Sequence, residues 1–244
     1  MKYLPVLLSL LLFVGSSATA EVQNMNVKET LNAKQRGIVP IAAFTATGDM
    51  ERLKTVFDEG LDVGLTINEI KEVLVQMYAY AGFPRSLNGI STFIGVLQER
   101  ERKGIKDQLG KEPSPLASDK NSVELGTEIQ TRLVGAPVTG PIYAFAPAID
   151  KFLKGHLFGD IFGRDNLDFQ SREIATISAL ASMEGVTPQL QSHFSVALTI
   201  GITEGQMKDL VSVLAQKVGR KAADNGDSAL NKVMGRPHAK GETP

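Results

Sequence analysis

The chain has 244 residues, with 26 Lys plus Arg against 27 Asp plus Glu, and the resulting net charge of −1 suggests neither nucleic acid nor an anionic membrane as its main partner. Cysteine is absent, which removes thiol peroxidases, disulfide exchangers, cysteine hydrolases and thiolate metal sites together. The 3 His, one of them in a polar C-terminal tail (His238), do not make a metal cluster, and 4 Tyr with no Trp argue against an aromatic sugar-stacking surface.

The first twenty residues, "MKYLPVLLSLLLFVGSSATA", place Lys2 before an apolar run from Leu4 to Val14 and small Ala18 and Ala20 before Glu21. This is the pattern of a cleavable secretory signal, too short for a membrane anchor, with the cut expected after Ala20. The mature protein is expected in the periplasm or outside the cell, with no membrane contact after cleavage. What remains suffices for one large domain or two smaller ones.

Helical periodicity runs through the rest. Helices are expected at 32–47, 50–63, 66–81 and 84–102. In "LTINEIKEVLVQMYAYAG" apolar residues fall at Ile67, Ile70, Val73, Leu74 and Met77, and Thr66 with Glu69 forms a T-x-x-E capping box. Residues 104–142 are richer in Gly, Pro, Ser and charge and read as a linker with one helix near 121–133. The stretch "FAPAIDKFLKGHLFGDIFGRDN" adds one or two short helices. Further helices follow at 169–184, 188–200, 203–218 and 220–234, the third opening on the Thr203–Gln206 box.

The two sets align. Laying residue 31 on 167 pairs Leu31 with Leu167, Arg36 with Arg172, Ile38 with Ile174 and Ile41 with Ile177. After one extra residue near 189, Phe57 meets Phe194, Gly64 meets Gly201, Thr66 meets Thr203 and Asn88 meets Asn225. The expected organisation is a signal at 1–20, a first unit at 21–103, a linker at 104–142, a second unit at 143–234 and a tail at 235–244. The competing explanation is that any two amphipathic hairpins share leucines and glycines.

Residues 164–193 carry Glu173 on one helix and His193 on the next. A straight antiparallel hairpin with the expected ends leaves them roughly 10 Å apart along the axis, so spacing permits a pair without requiring one. An acid/base site, or a satisfied histidine beside a solvated glutamate, both fit. Arg172 reads as a surface or salt-bridge residue, and Gly159, Asp160 and Arg164 as the turn before the second unit. His156, in "KGHLFGDIF", either lines the same pocket or caps a short helix.

The stretch "FGDIFGRDNLDFQSREIATISALASMEGVTPQLQSHFSVALTIGITEGQMKDLV", within 145–233, resembles the carboxymuconolactone decarboxylase family. There an Arg-Glu opens a helix, a His follows on the next, and a Gly-Thr step starts a third. "GLTINEIKEVLVQMYAYAGFPRSLNG" in the first unit resembles the third-helix part of the same family. The resemblance implies an all-α fold of two tandem units similar to alkylhydroperoxidase D, packed as homo-oligomers, trimers or hexamer-like. In the peroxidase branch a C-x-x-C lies between the Glu and the His; here those positions are Val186 and Gln189, so the thiol-free decarboxylase branch is the nearer model. It implies a cofactor-free lyase or isomerase acting on a small carboxylated lactone or keto-acid.

Comparing the units suggests one composite site per chain. The first has Gly37 and Val56 where the second has Glu173 and His193, yet it keeps "YAYAGFPRSLNG". The candidate catalytic residues are therefore Glu173, His193 and His156, with Tyr78, Tyr80, Arg85, Asn88 and Arg164 as substrate-binding candidates. A histidine passes protons and a carboxylate orients it; an arginine grips a substrate carboxylate. Alternatively the tyrosines are core or interface residues, and the protein is a non-catalytic binding module on the same scaffold.

Overall fold

The computed structural model describes residues 29–116 and 119–235, and among them all regular structure is helical. The expected signal at 1–20 and most of the expected tail, with His238, lie outside these residues.

Local chemistry sets the helix ends. Helix α1, Ala33–Thr47, opens on a capping box in which Asn32 accepts from the Gln35 amide and the Gln35 side chain accepts from Asn32, and it stops at Gly48, whose φ of 77° suits glycine. Helix α2 spans Met50–Asp62 from an Asp49 cap. Helix α3, Ile67–Ala81, begins with the Thr66–Glu69 box read from the sequence. Helix α4 spans Phe83–Arg102 and carries proline in its first turn, where no amide partner is lost.

The segment after α4 is tied down rather than loose. Its backbone accepts from the amides of Ile67 and Asn68 at Gln108 and Leu109, both at 2.9 Å, and Asn68 reaches Gly110, Lys111 and Glu112 with its side chain. Helix α5, Ser122–Val134, follows, then the short α6, Pro141–Phe145, and α7, Pro147–Phe152, which runs into a π-helical stretch, Leu153–Ile161. Gly159 and Asp160 thus sit inside helical backbone, and only Arg164 lies in the turn that follows. The α5 backbone touches this stretch almost directly: a Cβ on Gly126 would stand 1.7 Å from the Lys154 carbonyl oxygen.

Helix α8, Phe169–Ser182, ends two residues before the expected 184, because Met183 turns extended (φ −103°, ψ 159°). Helix α9 spans Thr187–Thr199. Helix α10, Glu204–Val213, opens on the Thr203–Gln206 box and continues as a π-helical turn, Leu214–Val218, before α11, Arg220–Val233.

The order of α1–α4 recurs in α8–α11, but the two sets share a single core. Helices α1 and α8 pack on each other at the centre and are buried almost all round, from Ile38 to Ala46 and from Ser171 to Ala181. Leu53, Phe57, Ile70 and Met77 from one set and Ile174, Phe194, Met207 and Leu210 from the other belong to the same apolar cluster. The third helix of each set packs against the central helix of the other: α3 on α8, and α10 on α1. Each crossing carries an ion pair, Glu72–Arg172 in one and Asp209–Arg36 in the other. A smaller cluster of Leu133, Leu157, Phe158, Ile161 and Phe162 joins α5 to the first π-helical stretch, and Tyr78, Tyr80, Val196 and Ile200 pack on its edge.

Candidate functional site

Helix α8 begins at Asp168, whose carboxylate accepts the Ser171 amide at 2.7 Å, and this fixes Glu173 one turn inside the most buried helix of the molecule. Its side chain is 0% exposed. Helix α9 returns antiparallel and presents His193, whose side chain is 17% exposed, with Nδ1 2.7 Å from Glu173 Oε2. The gap of roughly 10 Å expected along the axis closes because α8 ends early and α9 starts at Thr187. At 1.5 Å per residue these shifts cut the axial offset to roughly 5 Å, within side-chain reach.

A carboxylate only accepts, so Nδ1 carries the proton in the neutral ring and Nε2 is left as a free base. No described residue hydrogen-bonds Nε2. Tyr80, from α3, stands edge-on to the imidazole with ring centroids 5.8 Å apart. Among the described residues neither its hydroxyl nor Glu173 Oε1, both buried, has a partner at hydrogen-bonding geometry, although Thr176 is near enough to the phenol to temper its pKa. Burial, and after it the charge of Glu173, holds the Tyr80 phenol well above its usual range, so it stays a neutral O–H donor.

Behind this trio runs a polar seam between α3 and α8. Arg172, 0% exposed, donates to Glu72 at 2.9 Å, to Gln76 at 3.1 Å and to the Arg164 carbonyl at 2.8 Å. Arg164 grips both oxygens of the same Glu72, at 2.9 and 3.0 Å. Gln76 donates to the Arg172 carbonyl and to Thr176 Oγ1, each at 2.9 Å. Burial presses the Arg172 guanidinium below its usual range, and Glu72 opposes that effect. Arg172 is therefore an interior residue of an ion-pair network, not a surface one. Glu72, Gln76 and Thr176 were not singled out from the sequence, although Glu72, Gln76 and Tyr80 fall four apart on one stripe of α3.

The other candidates scatter. Tyr78 stacks on Phe83 at 4.3 Å and lies 5.5 Å from His156. The His156 ring, 51% exposed, sits against its own-helix neighbour Asp160, 2.8 Å away. Arg164 is taken up by Glu72. Arg85 and Asn88 are exposed on α4, and the Arg85 side chain lies beside Gly48. The sequence-derived set thus divides into a joined group of Glu173, His193 and Tyr80, an adjacent Tyr78–His156 contact, and residues used elsewhere.

Among the described residues no group of His, Asp and Glu is arranged to hold a metal ion. Among the clefts that the described residues form are three of about 430, 480 and 490 Å³, and none of these has Glu173 or His193 in its wall. The last, bordered by Arg132, Phe169 and Ile200, lies at the far end of α9, two helical turns from His193. No helix of the described residues is long and apolar enough to cross a membrane.

No curated protein matches the chain. The model of the carboxymuconolactone decarboxylase family matches residues 17–91, under a third of the chain and the part that holds Tyr80 but carries Gly37 and Val56 in place of the acid/base pair. The resemblance noted over 145–233 lies outside that match. What the comparison supports is therefore a likeness of residues 17–91 to the carboxymuconolactone decarboxylase family.

Proposed function

We propose that the protein is an exported, cofactor-independent acid/base catalyst of the decarboxylase type, acting on a small carboxylated lactone or keto-acid. The observation that carries this reading is the 2.7 Å contact between a fully buried carboxylate and an imidazole whose other nitrogen is unclaimed. Glu173 orients the ring and stabilises its protonated form; His193 Nε2 moves the proton. In a decarboxylation the bond to the carboxylate carbon breaks, CO2 leaves, and its electron pair forms an enolate that takes a proton from the imidazolium. In an isomerisation the free base first removes a proton beside a carbonyl and then returns it. The unpaired Tyr80 hydroxyl is a donor within the same wall, suited to a developing enolate oxygen. Thiol peroxidation has no place here, since the chain has 0 Cys.

Homo-oligomers, trimers or hexamer-like, form part of the proposal. Phe145 (92% exposed), Ile142, Phe152 and Phe83 leave large apolar side chains in water, Phe83 stacking on the Tyr78 ring that lies beside His156. The rival reading, a non-catalytic binding module, is favoured by one observation: the pair lines none of the three clefts.

The test is a screen of small keto-acids and carboxylated lactones with wild type, His193→Ala and Glu173→Gln, followed by CO2 release and by NMR of the products. Turnover by wild type that falls about 100-fold in His193→Ala supports the catalyst. Equal turnover by all three removes the site assignment. Saturable binding without turnover by any of them establishes the binding module.

A further inference from the structure

Glu173, His193 and Tyr80 have counterparts in the same fold. In the register read from the sequence, Arg172 corresponds to Arg36, Glu173 to Gly37, Thr176 to Pro40, His193 to Val56, Glu72 to Asp209, Gln76 to Val213 and Tyr80 to Lys217. The structure brings these counterparts together in the same way. Arg36 on α1 pairs with Asp209 on α10 as Arg172 on α8 pairs with Glu72 on α3. Gly37, Pro40, Val56, Val213 and Lys217 all line one cleft of about 430 Å³. Where one crossing of the helices holds a carboxylate, an imidazole and a phenol, the other holds a hollow.

The substitutions explain the hollow. Gly37 has no side chain, and Leu65 and Val63 close to 3.2 and 3.3 Å of where its Cβ would stand, while Val56 is shorter than an imidazole and leaves the room. Pro40 lacks an amide hydrogen, so the Arg36 carbonyl has no partner four residues on. The floor is apolar and the volume lies in the range of small-molecule sites, about 300–1,000 Å³.

The wall is charged, and its free valences are cationic. Arg36 engages Asp209 through one terminal nitrogen, while Nε and the other terminal nitrogen make no hydrogen bond to the described residues; its side chain is 38% exposed. Lys217 rests on Glu59 at 3.1 Å, with both side chains close to half exposed, a pair worth about 0–1 kcal/mol and readily exchanged for another anion. The acidic wall residue Asp62 is held by Arg100 at 2.8 Å.

We propose that this cleft is a second, non-catalytic binding site for a small organic acid, its apolar body on Val56, Pro40 and Val213 and its anionic group between Arg36 and Lys217. With Gly37 and Val56 standing where the other crossing has Glu173 and His193, the site holds its ligand without converting it. The proposal stands independently of the proton-transfer reading of Glu173 and His193.

The test is equilibrium titration with 2-naphthoate and with neutral 2-naphthamide, followed by ligand fluorescence. Wild type should bind naphthoate saturably, and naphthamide about tenfold more weakly. Val56→Phe, which fills the floor, and Lys217→Glu, an exposed charge reversal that leaves the core untouched, should each weaken naphthoate about tenfold. His193→Ala should bind as wild type does, which separates this site from the other. Absence of saturable binding by wild type, equal affinity for the amide, unchanged affinity in Lys217→Glu, or loss of binding in His193→Ala would each overturn the proposal.

Discussion

Removing Glu72 should be the most damaging single change in the α3–α8 seam, and more damaging than removing its partner. Glu72→Leu leaves Arg172, 0% exposed, with a buried guanidinium facing only neutral acceptors. Breaking a buried pair in this way costs about 3–5 kcal/mol. Arg172→Met leaves Glu72 with its contact to Arg164, which is 36% exposed and holds both carboxylate oxygens, so the expected loss is only about 2 kcal/mol. The double variant removes both charges together; Arg164 then turns to water, and the main residual cost is the unpaired Gln76 oxygen, about 1–3 kcal/mol. The two changes are thus strongly non-additive, with the double variant more stable than Glu72→Leu alone. Urea unfolding followed by far-UV circular dichroism measures all four stabilities. A double variant that loses the sum of the single losses would refute the reasoning, because it would mean the two charges do not interact.

Two further predictions concern buried groups. The Tyr80 phenol is raised above the ordinary 10.0 by burial, so its stabilising contribution is complete below pH 10 and falls as pH rises beyond it, at up to about 1.4 kcal/mol per pH unit. In Tyr80→Phe this alkaline slope should shrink, and in wild type one tyrosine should resist ionisation until unfolding, as read from tyrosinate absorbance. Gly126→Ala should cost at least about 2 kcal/mol and shift the thermal midpoint down, since the added Cβ meets the backbone of Lys154 and Gly159 rather than a movable side chain; an unchanged midpoint would contradict the close approach.

Much of the fold was legible because its signals are local. The Thr66–Glu69 and Thr203–Gln206 boxes start helices where the sequence places them, and the three-and-four spacing of Ile67, Ile70, Val73, Leu74 and Met77 faces the core. The register pairs Arg36 with Arg172, but their partners Asp209 and Glu72 are given only by the packing. What local signals miss is tertiary. Glu72 and Gln76 look like solvated positions within α3 and become interior only because α8 covers them. The segment after Lys103 reads as a linker from its glycines and prolines, but its backbone is bound to the start of α3. The meeting of Glu173 and His193 depended on where α8 stops, and the extended backbone at Met183 has no strong signature.

The claim that a buried carboxylate steers the His193 ring and leaves Nε2 free to move protons is tested most directly by long-range proton–nitrogen NMR of histidine-labelled protein, with the His193 signal assigned through His193→Ala. The account predicts that neutral His193 carries its proton on Nδ1, with a nitrogen shift at Nε2 typical of an unprotonated base, and that Glu173→Gln moves the ring toward the ordinary tautomer mixture. A wild-type ring protonated on Nε2, or one indifferent to Glu173→Gln, would contradict it.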